Sequence, residues 1–365
     1  MQNGLKESAE VLICRELRQR LAFGYWRVGD LLPNEHELAD ELSVSRATMN
    51  KALRQLDKCG FFESKRGRGR IVSIPKQLKK ATGVINIVLS DAHYYRKPSG
   101  FQLINTIQDS LITAGYNVRI TTLTPKNGLF HHTVRGQALE MIRADECDGL
   151  IVVTQAVELE TALELSTYSP VLWFHHPSMK PSLSGLRYDW INGSIQAVRH
   201  LIAKGHRSLA LVNISENFIS GREQLDGIRV GIKQASVAKP VDFVYLPVDS
   251  FDKNAAYRAV SEFLSSGKKM PSAFISGSDD FTSGICKALS ERKLKIPKDV
   301  SLISWNDTLK PEDVPFPVDA LKIDFARAGR LAAENMLSMI KCPEKAIETI
   351  YICAELIVRG SVRKI

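Results

Sequence analysis

At 365 residues, with 44% hydrophobic and 24% charged positions, the chain is too long for one ordinary domain and well supplied for globular cores. Its net charge of +9 is uneven: residues 1–80 hold 16 Lys/Arg against 10 Asp/Glu, whereas residues 81–365 hold 33 against 30, so the first fifth favours a polyanionic partner. No apolar run approaches the roughly 18 residues of a membrane helix, and Val11–Cys14 is followed at once by Arg15, Glu16 and Arg18 rather than by a signal-peptide core, so a cytoplasmic protein is expected.

Three helical patterns come first. Ala9, Leu12, Ile13, Leu17 and Leu21 fall on one helical face. After the break at Gly29–Pro33, Asn34 is suited to cap a short helix with Glu35 and Glu37 in its first turn and Leu38, Ala39 and Leu42 inward. Ser45 can cap a third helix whose apolar positions are Met49, Ala52, Leu53 and Leu56, which leaves Arg46, Ala47, Asn50, Lys51 and Arg54 facing away. Two short helices joined by a tight turn, the second with a polar outer face, describe a helix-turn-helix. Ser45 and Thr48 offer hydroxyls to phosphate, Arg46 reaches phosphate or guanine, and the Asn50 amide matches adenine. The bland alternative is a small bundle with a solvated outer face. The next segment weighs against it. Phe61–Ser64 reads as a strand, Lys65–Arg70 as a turn with two glycines, and Ile71–Ile74 as the returning strand. Four clustered cations at such a tip suit the DNA backbone or a narrow minor groove.

The runs Gly29–Ala39 (GDLLPNEHELA), Val44–Leu53 (VSRATMNKAL) and Gly67-Arg-Gly together resemble the winged-helix domain of the GntR family over about residues 8–74. The resemblance implies that His36, Ser45, Arg46, Thr48 and Gly67 touch DNA; Asn50, Lys51, Arg54, Arg66, Arg68 and Arg70 join them from the outer face and the wing. Asn50 stands where many members have Arg, and Arg70 where many have Thr.

Residues 75–83, polar, basic and bounded by Pro75 and Gly83, read as a linker. From residue 84 to 365, apolar strand-like runs at 84–89, 117–122, 148–153, 170–174, 208–213, 243–246, 272–276 and 300–304 alternate with amphipathic stretches at 101–114, 134–144, 158–167, 190–204, 222–235, 254–265 and 279–290. Such alternation predicts parallel sheets clothed by helices, and the length predicts two lobes with a ligand at the carboxyl ends of the strands. The runs at Cys147–Val153, His200–Ala210, Ser276–Gly284, Ile296–Asp307 and Leu356–Ser361 resemble the LacI/GalR-type effector domain, a two-lobed, periplasmic-binding-protein-like α/β fold. GntR-type readers joined to this sensor form the arabinose-repressor-like subclass. The resemblance implies effector contacts at Ser90, Asp91, Tyr188, Asp189, Arg222, Gln224, Ser278, Asp279 and Asn306, although Gln224 replaces the usual Arg three residues before Gly227, and Ser278-Asp279 replaces Asn-Asp. Trp173, Tyr188, Trp190 and Trp305 either face a sugar ring or pack in the core, and Tyr188 and Trp305 are counted among the expected effector contacts.

Other signals carry less. Six cysteines without a C-x-x-C pair read as reduced thiols. The pairs His131-His132 and His175-His176 point to opposite faces if in strands, so no metal site is expected. No phosphate-binding, nucleophile-elbow or zincin motif occurs, so neither cofactor nor catalysis is expected. The expectation is a homodimeric, ligand-responsive transcriptional repressor that binds double-stranded operator DNA and is released by a sugar or sugar derivative, with no membrane partner. The alternatives are a regulator whose large domain only dimerises, or a carbohydrate-binding receptor.

Overall fold

The computed structural model describes residues 9–22, 25–27, 29–58, 60–65, 67–73, 81–89, 95–122, 147–153, 162, 166, 170–175, 183, 185–235, 239–342 and 348–365. The predicted helix at 134–144, most of that at 158–167, most of the linker, and His131, His132 and His176 lie outside the described residues.

The first elements are α1 (Ala9–Ala22), α2 (Glu35–Glu41), α3 (Arg46–Lys58) and a hairpin of β1 (Phe62–Lys65) and β2 (Gly69–Val72). They close on their own core, in which Ile13, Cys14, Leu17, Leu38, Ala39, Met49, Ala52, Leu53, Leu56, Phe61, Phe62 and Val72 are buried. Asn34 caps α2 as its sequence predicts: its side chain accepts from the His36 and Glu37 N–H groups, and Glu37 reaches back to the Asn34 N–H. Two inward positions of α1 differ from expectation, and Ala9 is the first, exposed at the start of the helix. Leu12 is 47% exposed, and Cys14 points inward instead, its thiol donating to the Ala52 carbonyl and the Gln55 side chain of α3. A small thiol that donates suits close approach between the two helices.

The chain divides into two compact units, the first comprising residues 1–90, 111–184 and 335–347, the second 91–110, 185–334 and 348–365. In the first, β3 (Val84–Leu89) lies between β4 (Asn117–Thr122) and β5 (Gly149–Val153), with β6 (Val171–Phe174) beyond β5, all parallel. Every residue of β5 and β6 is buried, as expected of strands covered on both faces. The Asp148 carboxylate, just before β5, accepts from the Thr82 N–H and hydroxyl and from the Gly83 N–H, which fixes the start of β3.

In the second unit, β7 (Gly185–Tyr188) pairs in parallel with β13 (Ile350–Ile352). A six-stranded sheet runs in the order β14-β12-β11-β10-β8-β9, from β8 (Ser208–Ile214), β9 (Asp242–Val248), β10 (Ala273–Ser276), β11 (Ser301–Asn306), β12 (Asp319–Lys322) and β14 (Glu355–Ile357). All of its pairings are parallel except β12 with β14. The helices are α4 (Pro98–Thr113), α5 (Trp190–Ala203), α6 (Ile219–Ala235), α7 (Lys253–Ser265), α8 (Asp279–Glu291) and α9 (Phe325–Lys341). The core of this unit joins Val212, Ile214, Val260, Phe274, Phe281, Ile285 and Leu302. The strands β7, β12, β13 and β14 and the helix α9 are additions to the elements that the sequence predicts.

Candidate DNA interface and effector site

On α3 the apolar positions turn inward and Met49, Ala52 and Leu53 are fully buried. Ser45 caps the helix, accepting from the Thr48 N–H at 3.1 Å, and its hydroxyl meets that of Thr48 at 2.7 Å. Arg46, Ala47, Lys51 and Arg54 are exposed. Among the described residues, no carboxylate lies within ion-pair distance of Arg46, Lys51, Arg54 or Arg68. His36 is exposed and meets Asp40 at 2.9 Å.

The wing differs from the predicted hairpin. Lys65 and Arg70 belong to the strands, in register with Gly69 and Ser64, so the turn is shorter than Lys65–Arg70. Gly67 takes φ +79°, a left-handed conformation that a side chain disfavours, and Arg68 is exposed beside it; Arg66 lies outside the described residues. Arg70 is no tip cation. Its Nε donates to both oxygens of Asp57 on α3 at 3.0–3.1 Å, and its Nη1 lies 3.9 Å from Glu35. Asn50 is also engaged, its Nδ2 donating to Glu35 Oε2 at 2.6 Å.

The second unit gathers most of the predicted effector residues at the carboxyl ends of its parallel strands; Ser90 and Asp91 lie outside the described residues. Ser278 caps α8 after β10, and Asp189 caps α5 after β7. Asp279 is buried at this end: Ser304 donates to its Oδ1 at 2.8 Å, and the Thr308 N–H and hydroxyl donate to its Oδ2 at 2.8 and 2.6 Å. Burial pushes its carboxyl up to about 6, against the opposite pull of those Thr308 and Ser304 hydrogen bonds. Asn306 and Asp307 both adopt positive φ, +87° and +66°, where β11 ends. Such non-glycine strain is typically held by surrounding contacts, and Arg359 grips Asp307 at 2.7 and 2.8 Å. Arg222 is exposed in the first turn of α6; Gln224 is 2% exposed, its oxygen accepting from Asn213 at 2.9 Å and its nitrogen donating to the Gly277 carbonyl at 3.3 Å. Glu223 between them pairs with buried Arg187; burial raises the Glu223 carboxyl, and the Arg187 cation offsets part of that rise.

The aromatic expectations need correction. Trp305 is 0% exposed and so presents no open face; a Cβ at Gly193 of α5 would strike its ring. Tyr188 is 7% exposed, with ring edges of Trp190 and Phe325 against it at 5.9 and 5.6 Å. Trp173 is also core, donating to the Ser166 hydroxyl at 3.0 Å. The exposed ring at this sheet end is instead Phe251, 42% exposed just beyond β9 and stacked at 11° on Phe281. Lys97 lies 5.7 Å from its centroid and donates to Asp280 at 2.5 Å. In the sequence Phe251 stands five residues beyond the predicted strand 243–246, near the strand end where a ligand is expected. Among the described residues no group of three or more His, Cys, Asp or Glu could hold a metal, and no helix is long and apolar enough to cross a membrane. Hydroxyls, amides and carboxylates beside one open ring suit a polyhydroxylated ligand, whose every hydroxyl both donates and accepts.

Residues 11–72 match the bacterial regulatory proteins of the gntR family, and residues 198–362 match a periplasmic binding protein-like domain. The arabinose metabolism transcriptional repressor of Geobacillus stearothermophilus is 24% identical over 364 residues, covering 96% of each chain. The HTH-type transcriptional repressor PurR of Haemophilus influenzae is 23% identical over 301 residues, 80% of this chain and 84% of that one. In fold, a LacI family regulator from Enterococcus faecium with bound ribose superposes with a TM-score of 0.64 at 22% identity, covering 77% of this chain and 99% of that one. A CelR–cellobiose complex superposes at 0.65 and 18% identity, covering 90% and 100%. The chain thus joins a gntR-family domain at residues 11–72 to a periplasmic binding protein-like domain at residues 198–362.

Proposed function

We propose that this regulator is a repressor that binds a palindromic operator as a homodimer and is released by a sugar or sugar-derived effector. The observation that carries the reading is the outer face of α3, where Arg46, Lys51 and Arg54 stand exposed over a buried apolar face. A helix of this kind lies in a major groove, with its first residues at base edges. His36, Ser45, Arg46, Thr48, Gly67 and Arg68 contact the duplex, residues 75–83 link the head to the rest, and the protein works in the cytoplasm. The effector site lies at the carboxyl ends of the second unit's strands, where Asp189, Arg222, Ser278, Asp279 and Asn306 supply polar contacts and Phe251 the ring surface. The ribose and cellobiose in the two fold relatives support this ligand class.

Effector and operator are linked reciprocally: a sugar that weakens operator binding tenfold is itself bound tenfold more weakly by the operator complex, about 1.4 kcal/mol of coupling. The test is to select DNA from a random duplex library with the full-length protein, then to titrate the selected operator with pentoses, hexoses, disaccharides and sugar acids. Release by one class supports the reading. Selection of an operator with no release across the panel, and no thermal shift with any sugar, favours a large domain that only dimerises.

A further inference from the structure

We propose that Glu35 is a positioning residue for base readout: it fixes the amide of Asn50 so that the protein reads adenine at one base pair of each half-site. The inference rests on α3 being the recognition helix. It starts from the shortest polar contact on that face, Asn50 Nδ2 to Glu35 Oε2 at 2.6 Å. An ionised carboxylate only accepts, so it selects the nitrogen end of the amide and thereby assigns the oxygen end as well. Asn50 keeps one N–H and its Oδ1 for other partners. That donor–acceptor pair complements adenine, which offers N7 as acceptor and its N6 amino group as donor in the major groove. Guanine offers two acceptors, N7 and O6, and leaves Oδ1 facing another oxygen.

A carboxylate beside the DNA-facing helix needs a counter-charge, and Arg70 supplies it. Its Nη1 is 3.9 Å from Glu35 Oε2 while its Nε holds both oxygens of Asp57, so one guanidinium serves carboxylates on α2 and α3 from strand β2 of the wing. The two departures from the GntR pattern are then one device. The cation sits at position 70 rather than 50, which frees position 50 for an amide and keeps Glu35 compensated. Arg70 acts through this network rather than by meeting phosphate.

The experiment uses the full-length protein and randomised duplex DNA, with affinities then measured for every single-base change in the selected half-site. Wild type is expected to prefer adenine over guanine by about 5–150-fold at one position, the span of a good bidentate contact. N50A is expected to erase that preference alone. In E35Q the position-35 side chain can either donate or accept, so the Asn50 amide turns over freely. The preference is expected to fall below about 3-fold while all other positions keep theirs. E35Q/N50A should match N50A, because Glu35 acts through Asn50. If E35Q fails to fold, E35D retains the charge but draws the acceptor back, and the same local loss is expected. A uniform loss at all positions in E35Q or E35D, or an unchanged adenine preference, overturns the proposal. So does selection of an operator in which no adenine preference depends on Asn50. Selection of no sequence at all would instead overturn the reading of α3 itself.

Discussion

The head and the strand-end cluster of the second unit are both rich in polar groups, but the outward cations of the head and the polar groups of the cluster differ in state. On the head, Arg46, Lys51, Arg54 and Arg68 have no carboxylate within pairing distance among the described residues. At the strand ends, Asp279, Gln224, Asp307 and Glu223 are each bound to protein partners. The first surface is therefore expected to gain affinity from phosphate and released counterions, with strong salt dependence. As the effector site proposed above, the second exchanges internal hydrogen bonds for ligand ones, so a small gain in affinity and a large discrimination are expected of it.

Four measurements test that contrast. The largest effect is expected from Arg46→Ala, a loss of about 1–3 kcal/mol in operator affinity by fluorescence anisotropy; an unchanged Kd would remove Arg46 from the interface. Next is Asp279→Asn. Because the folded pKa of Asp279 is raised from 3.8 to about 6, the folded state holds the proton more tightly. Its stability contribution is full below the unfolded pKa and is lost as pH rises through about 6, on the order of 2 kcal/mol. Denaturant midpoints from pH 4 to 7 should fall with pH in wild type relative to Asp279→Asn; parallel curves would count against a protonated, saturated site. Phe251→Ala should weaken sugar binding by about 1 kcal/mol in calorimetry with little effect on Tm, since the ring is partly exposed. A large drop in Tm with intact sugar affinity would make it a core residue. The smallest effect separates two wing cations. Arg68→Ala should lower the slope of log K against log salt by about 1, while Arg70→Ala should leave it unchanged. Equal changes would mean that Arg70 also meets phosphate.

Where period and caps agreed, the elements were readable. Asn34 and Glu37 announce α2, and Met49, Ala52, Leu53 and Leu56 orient α3. The strands that escaped reading are short: β7 and β12 have four residues each, β13 and β14 three. In β12 a carboxylate interrupts the apolar pattern. Asp319, fully buried, is tied to the N–H groups of Arg359, Gly360 and Ser361, partners 40–42 residues away that no local window contains. Helix α9 is as amphipathic as α3, with Phe325, Ala328, Ala332, Ala333 and Met336 buried on one side, so its period was present in the sequence. In the site, residue types were legible and their engagement was not. Gln224 and Arg70 look free in sequence, yet Asn213 and Asp57 hold them. Trp305 looks like a sugar platform until Gly193 brings α5 against its ring.

The interleaving of the chain also sets an order of birth. The buried core of the head is drawn entirely from residues 13–72, whereas the first unit reaches residue 347 and the second residue 365. At ribosomal speeds of about 5–20 residues per second, a nascent chain carries its complete winged helix for roughly 15–60 s before the last strands arrive. Under the function proposed above, newly made protein acquires the means to hold an operator before it acquires the means to let go.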